Sequence, residues 1–227
     1  MQDEKPRPRV GIDLRQQYNS REATLWVVGG ILAVGLDMLL VYQGLAFSWV
    51  RALLPMIALL FFDEQRRKRP SHGWPRMTPN GGTALWMKVS LIVSGWALLM
   101  WCMLYGISAM AQVGPGFTQL APADALDRFF AVTVLAPVLE EGVYRILLCT
   151  ALATRFRHRS VIAISGTLFA LLHLLYGNLA PTNFLAGYLL SWAYLMSGSL
   201  WLPIVWHAVG NMAILGAGVA LFVLNGG

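Results

Sequence analysis

Residues 125–154, ALDRFFAVTVLAPVLEEGVYRILLCTALAT, form a nearly unbroken apolar run interrupted at its middle by Glu140, Glu141 and Arg145. About 20 apolar residues suffice for a helix to cross the hydrocarbon core of a bilayer. An ionisable side chain near the centre of such a helix is disfavoured by roughly 2.5–3.5 kcal/mol on insertion scales, so three within two turns require pairing, water or chemistry. The same conflict recurs twice downstream, at Phe169 to His173 and at His207 to Asn211, again inside apolar sequence.

The rest of the chain supports a membrane reading of this stretch. It is 57% hydrophobic and 12% charged, where soluble domains carry about a quarter charged residues. Apolar runs predict helices over 24–41, 45–62, 84–111, 125–154, 160–176, 183–196 and 200–224. The expected fold is an all-α, polytopic transmembrane helical bundle of about seven spans, within a range of six to eight. The runs are continuous rather than alternating, which disfavours a β-barrel. Segment 183–196 is the shortest; at ~1.5 Å per residue it falls short of a ~30 Å core and is expected to tilt, to be re-entrant or to merge with a neighbour.

Thirteen of the 17 basic residues lie in the N-terminal tail, the second-to-third loop and the fourth-to-fifth loop, and the opposite connections carry none. With seven helices all three segments share one side, the positive-inside pattern of a cytoplasmic N-terminus. The net charge of +6 is thereby explained by topology and anionic headgroups, without nucleic acid. Residues 1–23 read as a cytoplasmic tail with no cleavable signal, solvated or, since Val10, Leu14 and Tyr18 share helical spacing, forming an interfacial helix. Residues 24–227 read as one membrane domain without internal repeats. Cys102 and Cys149 match no metal or redox spacing.

Consecutive residues on a helix are about 100° apart, so Glu140 and Glu141 do different work. Arg145 lies four residues beyond Glu141, the spacing of an intrahelical ion pair. Glu140 is left free, a candidate general base for water. A buried structural network is the competing reading of this motif by itself. Pro137 favours function, because it removes a backbone donor and loosens the helix beside the acids. Phe169 and His173 share a helical face, as do His207 and Asn211. A neutral imidazole accepts a proton, orients water or ligates metal, and an asparagine amide can donate to an oxyanion.

The order EExxxR, FxxxH, HxxxN, each on its own apolar helix, resembles the CPBP family of intramembrane proteases, which includes type II CAAX prenyl endopeptidases and bacteriocin-processing relatives. The approach to the second histidine, residues 198–207, is similar as well. The resemblance covers about 137–214, and a protease-like core is expected over about 125–224. It implies hydrolysis of a peptide bond in a membrane-associated protein or peptide by glutamate-activated water. Glu140 would activate the water and His173 would position it. His207 and Asn211 would stabilise the oxyanion, while Glu141, Arg145 and Phe169 shape the site. It further implies a multi-pass protein of a prokaryotic cytoplasmic membrane.

No metal is favoured, because no HExxH pattern is present and one acid is committed to Arg145. Zinc is the alternative, with Glu140, His173 and His207 as ligands. Two other functions compete: an ion-coupled transporter, disfavoured by the single copy of the constellation, and a non-catalytic chaperone or scaffold with a protease-like core. Asp37 and Arg51 lie equally far from Gly44 on either side and are expected to form a structural pair across a helix hairpin. Lys88 and Arg128 are expected to snorkel, and Gly166 with Ala170 to mark close helix packing.

Overall fold

The computed structural model describes residues 11–68, 74–76, 82–110, 119–178 and 180–226. Among these residues the fold is all-helical, with seven helices and no strand. They are α1 (Ser20–Tyr42), α2 (Trp49–Lys68), α3 (Gly82–Met110), α4 (122–153), α5 (His158–Leu175), α6 (Pro181–Ser197) and α7 (Trp201–Leu224). By length and composition, four regions qualify as membrane-crossing: α1, residues Gly82–Met103 of α3, α5 and α7. Their apolar side chains face outward, as Leu25, Leu32, Leu91 and Leu98 do. On the outside of a membrane protein that is where lipid replaces a protein core. The chain is an integral membrane protein.

The boundaries shift from expectation for identifiable reasons. Helix α1 starts at Ser20, four residues early, because Asn19 and Glu22 form a capping box: the Asn19 side chain accepts from the Glu22 amide (2.9 Å) and Glu22 accepts from the Asn19 amide (3.2 Å). Such reciprocal bonds satisfy two otherwise orphaned donors. Helix α4 starts with Pro122 at its first position, where a missing N–H costs nothing. Helix α6 gains a residue or two at each end over the expected segment and stops at Gly198, whose φ of 63° is the left-handed cap that favours glycine.

The tail does not form an interfacial helix over its described part. Residues 11–18 lie along one end of the bundle as a strap, with Ile12 and Leu14 fully buried. The Ile12 amide donates to the Leu195 carbonyl (2.8 Å), His158 Nε2 donates to the Ile12 carbonyl (2.6 Å), and the Leu14 amide reaches the Ala153 carbonyl (3.3 Å). Beside it, the Arg15 guanidinium hydrogen-bonded to Asp13 holds that carboxyl below its ordinary range. Of the apolar tail positions that suggested helical spacing, Leu14 and Tyr18 pack against the core instead. Val10, along with Lys5, Arg7 and Arg9, lies outside the described residues.

The same end collects the other basic connections. Arg155 bonds Thr24 Oγ1 (2.7 Å) at the start of α1, and Arg76 exchanges backbone bonds with the α6–α7 turn through Gly198 (2.8 Å) and Leu200 (2.9 Å). Trp74, beside Arg76, is buried. Of the long polar loop, Pro70, Gly73, Pro79 and Gly81 lie outside the described residues. At the opposite end, Gly44 (φ 77°) turns α1 into α2. There Arg51 makes a bidentate pair with Asp37 (Nε to Oδ1 2.6 Å, Nη2 to Oδ2 3.1 Å), both fully buried. The structural pair expected from the symmetric spacing about Gly44 forms. Lys88 and Arg128 are exposed, as snorkelling requires.

Helix α4 is the axis, almost wholly buried from Ala136 to Thr154 apart from Val138 and Leu147, and α1, α2, α5, α6 and α7 pack around it. Helices α5 and α6 touch most closely at Gly166 and Gly187. A Cβ at Gly187 would sit 2.7 Å from the Gly166 carbonyl oxygen and 3.2 Å from its Cα, so the small-residue spacing of α5 serves packing within the chain. Gly187→Ala is expected to cost about 1–3 kcal/mol through overpacking, measured as a lower unfolding midpoint in detergent. An unchanged midpoint would show that the two backbones can separate freely.

Candidate active site

Two stretches of α4, 131–135 and 142–149, are wound as π-helix, a form that recurs at functional sites. The first follows from Pro137. In a π turn the carbonyl of residue i accepts from the amide of i+5, so Val132 would need the amide of residue 137, and proline has none. The neighbouring Ala136 amide is spent on Ala131. The stranded Val132 carbonyl is satisfied from another helix: Asn211 Nδ2 donates to it at 2.8 Å. A buried carbonyl without a partner is costly, which explains why an amide side chain sits there.

Between the wide turns, α4 presents both acids to the interior. Glu141 is fully buried; its Oε2 is 3.0 Å from Arg145 Nε in an ion pair whose N–H is not aligned for a hydrogen bond. Arg145 also donates to the Gly187 carbonyl (3.2 Å) and lays its guanidinium over the Phe169 ring, 4.3 Å from the centroid. The expected Glu141–Arg145 partnership forms, but Glu141 has a second partner. Its Oε1 is 2.8 Å from His207 Nδ1. No spacing rule exposes that contact, because it joins residues on two different helices.

These bonds assign the imidazole protons. His173 Nδ1 lies 3.0 Å from the Phe169 carbonyl, an acceptor only, so Nδ1 carries the hydrogen. His207 Nδ1 faces the Glu141 carboxylate and carries one likewise. In the neutral rings both Nε2 atoms are therefore lone-pair sites. Both converge on Glu140 Oε2, at 4.0 Å from His173 and 3.8 Å from His207. That oxygen is buried and has no hydrogen-bond partner within the protein. Polar separations just beyond direct contact are those a bridging water fills.

Phe169 walls this cluster, its ring 4.6 Å from that of His173 and 5.7 Å from that of His207. The structure thus brings together Glu140, Glu141, Arg145, Phe169, His173 and His207. Asn211 is held one turn further along α7, and its described hydrogen bond goes to Val132 rather than into the cluster.

Helix rise alone puts Glu140 and His173 on the order of 20 Å from the basic end but His207 only ~9 Å into α7. The discrepancy is resolved by the α6–α7 turn. Ser197, Ser199, Leu200 and Leu202 are all buried, and the segment at Trp74–Arg76 closes over them. Helix α7 therefore begins inside the bundle, so that His207, less than two turns on, reaches Glu140.

Two ligands of one tetrahedral zinc, each at ~2.0–2.1 Å, stand ~3.4 Å apart. The separations from Glu140 Oε2 are wider, and among the described residues no group of three or more His, Cys, Asp or Glu has metal-holding geometry.

Residues 122–213 match the family model described as type II CAAX prenyl endopeptidase Rce1-like. The resemblance carried by the three motifs is borne out. The match spans α4 to the middle of α7, under half of the chain but every residue of the cluster. No curated protein and no solved structure matches the chain. Within this CAAX-endopeptidase-like segment lie the three polar constellations, whereas α1–α3, with the Asp37–Arg51 pair, fall outside it. The segment is similar to a protease family and lies here in an integral membrane protein.

Proposed function

We propose that the protein is an intramembrane endopeptidase that hydrolyses a peptide bond of a membrane-associated protein or peptide with water activated by Glu140. The observation that carries this reading is the convergence of two imidazole Nε2 atoms on a buried carboxylate oxygen that has no partner of its own. Glu140 takes a proton from the water as its oxygen attacks the scissile carbonyl. His173, fixed by the Phe169 carbonyl, orients that water. His207, fixed by Glu141, relays the proton from Glu140 to the leaving amine as the C–N bond breaks. The oxyanion is stabilised from α7, where His207 Nε2–H in its protonated form and the second N–H of Asn211 supply donors. Glu141 and Arg145 position rather than react.

The family description makes a prenylated C-terminal peptide the first substrate class to test. The clustering of Arg15, Arg76, Arg155 and Arg157 at one end supports a cytoplasmic N-terminus, in a prokaryotic cytoplasmic membrane. Cleavage of farnesylated and unmodified membrane peptides by the wild type, Glu140→Ala and His173→Ala tests the assignment; equal rates in all three would remove its basis.

Hydrolysis without metal is part of the proposal. Purified active protein is expected to hold less than stoichiometric zinc and to keep its rate after chelation. Stoichiometric zinc whose removal reversibly abolishes cleavage would reassign Glu140, His173 and His207 as ligands.

A further inference from the structure

We propose that Tyr176 donates its hydroxyl hydrogen to the tetrahedral oxyanion and that the Asp37–Arg51 pair positions it for this; the inference rests on the hydrolytic reading above. Hydrogen-bond supply at the site motivates it. An oxyanion needs preorganised donors, and the Nδ1 hydrogens of both imidazoles beside Glu140 are already spent. His173 Nδ1–H goes to Phe169, His207 Nδ1–H to Glu141, and one Asn211 N–H to Val132. Arg145 lies behind the Phe169 ring.

Tyr176 differs. It follows His173 by three residues, at the end of α5, and its ring meets that of His173 edge-on at 5.7 Å. Arg51 Nη1 donates to the Tyr176 hydroxyl oxygen at 2.7 Å. Arginine can only donate, so the oxygen is the acceptor and its own hydrogen remains available. A hydroxyl bonded by a cation is polarised toward donation.

Arg51 itself is immobilised by two bonds to Asp37 and one to the Ala46 carbonyl (2.9 Å). Both Asp37 oxygens are thereby occupied. The ring contact with His173, whose Nε2 faces Glu140, puts Tyr176 beside the cluster. Tyr144 offers a contrast. Its hydroxyl has no hydrogen-bond partner, the residue is completely buried and no cation holds its oxygen. Tyr176 is only half-buried and so reachable by substrate.

The test uses the full-length protein in liposomes, with whichever farnesylated or unmodified membrane peptide the wild type cleaves in a Glu140-dependent way. Tyr176→Phe is expected to lower kcat by about 10²-fold, the effect of removing one oxyanion donor, with KM within about threefold of wild type. Tyr144→Phe should leave both constants near wild type. Incorporating 3,5-difluorotyrosine at 176, which keeps the hydroxyl, should restore kcat. A Tyr176→Phe kcat within threefold of wild type, a change confined to KM, or a loss seen for Tyr144→Phe instead would overturn the inference while leaving the hydrolytic reading intact. If no peptide is cleaved in a Glu140-dependent way, the reading falls and the inference falls with it.

Discussion

Glu140→Gln is expected to lower kcat by about 10²–10⁴-fold, the range typical for loss of a general base, while the protein stays folded. Glutamine keeps the volume of the side chain and a carbonyl oxygen near Oε2, so the packing against His173 and His207 survives. The basicity does not. Glu140 Oε2 makes no hydrogen bond within the protein, so its substitution strands no partner, and the unfolding midpoint should match wild type. Cleavage within about threefold of wild type, with the fold intact, would show that another group activates water.

Arg145→Ala should produce the opposite signature, a loss of stability first and of activity as its consequence. Arg145 and Glu141 are both fully buried, and removing one partner of a buried ion pair leaves an uncompensated charge, at a cost of about 3–5 kcal/mol. The loss propagates, because Glu141 also fixes His207 and Arg145 also ties α4 to α6 through Gly187. Unfolding in detergent should show the decrease. A double-mutant cycle with Glu141→Gln should show strong coupling, since the two side chains form one buried ion pair. Additive losses would mean that the ion pair is incidental.

The sequence was most legible where one physical constraint acted alone. Apolar runs located all seven helices described, and the equal distances of Asp37 and Arg51 from Gly44 were enough to pair them. The i,i+4 offset between Glu141 and Arg145 was likewise visible. Legibility failed where two distant segments jointly satisfy one backbone group. Nothing in residues 10–18 announces that Ile12 bonds Leu195 and His158, so an anchored strap resembled a free tail. The buried α6–α7 turn was hidden because it is bonded by Arg76, more than 120 residues earlier in the chain. Glu141's contact with His207 stayed invisible for the same reason. Tyr176 did carry a signal, three residues past His173 on the same helical face, but at a helix end it resembled an ordinary interfacial aromatic.

Pro137 and Asn211 lie on different helices and share no side-chain chemistry, yet both answer to the carbonyl of Val132. They should behave as an epistatic pair. Restoring an N–H at 137 by Pro137→Ala lets α4 satisfy Val132 itself and frees the Asn211 amide, so Asn211→Ala should cost less stability in that background than in the wild type. An accepted substitution at one position thus depends on the residue at the other, and the tolerance of α7 to mutation is set in part by the winding of α4.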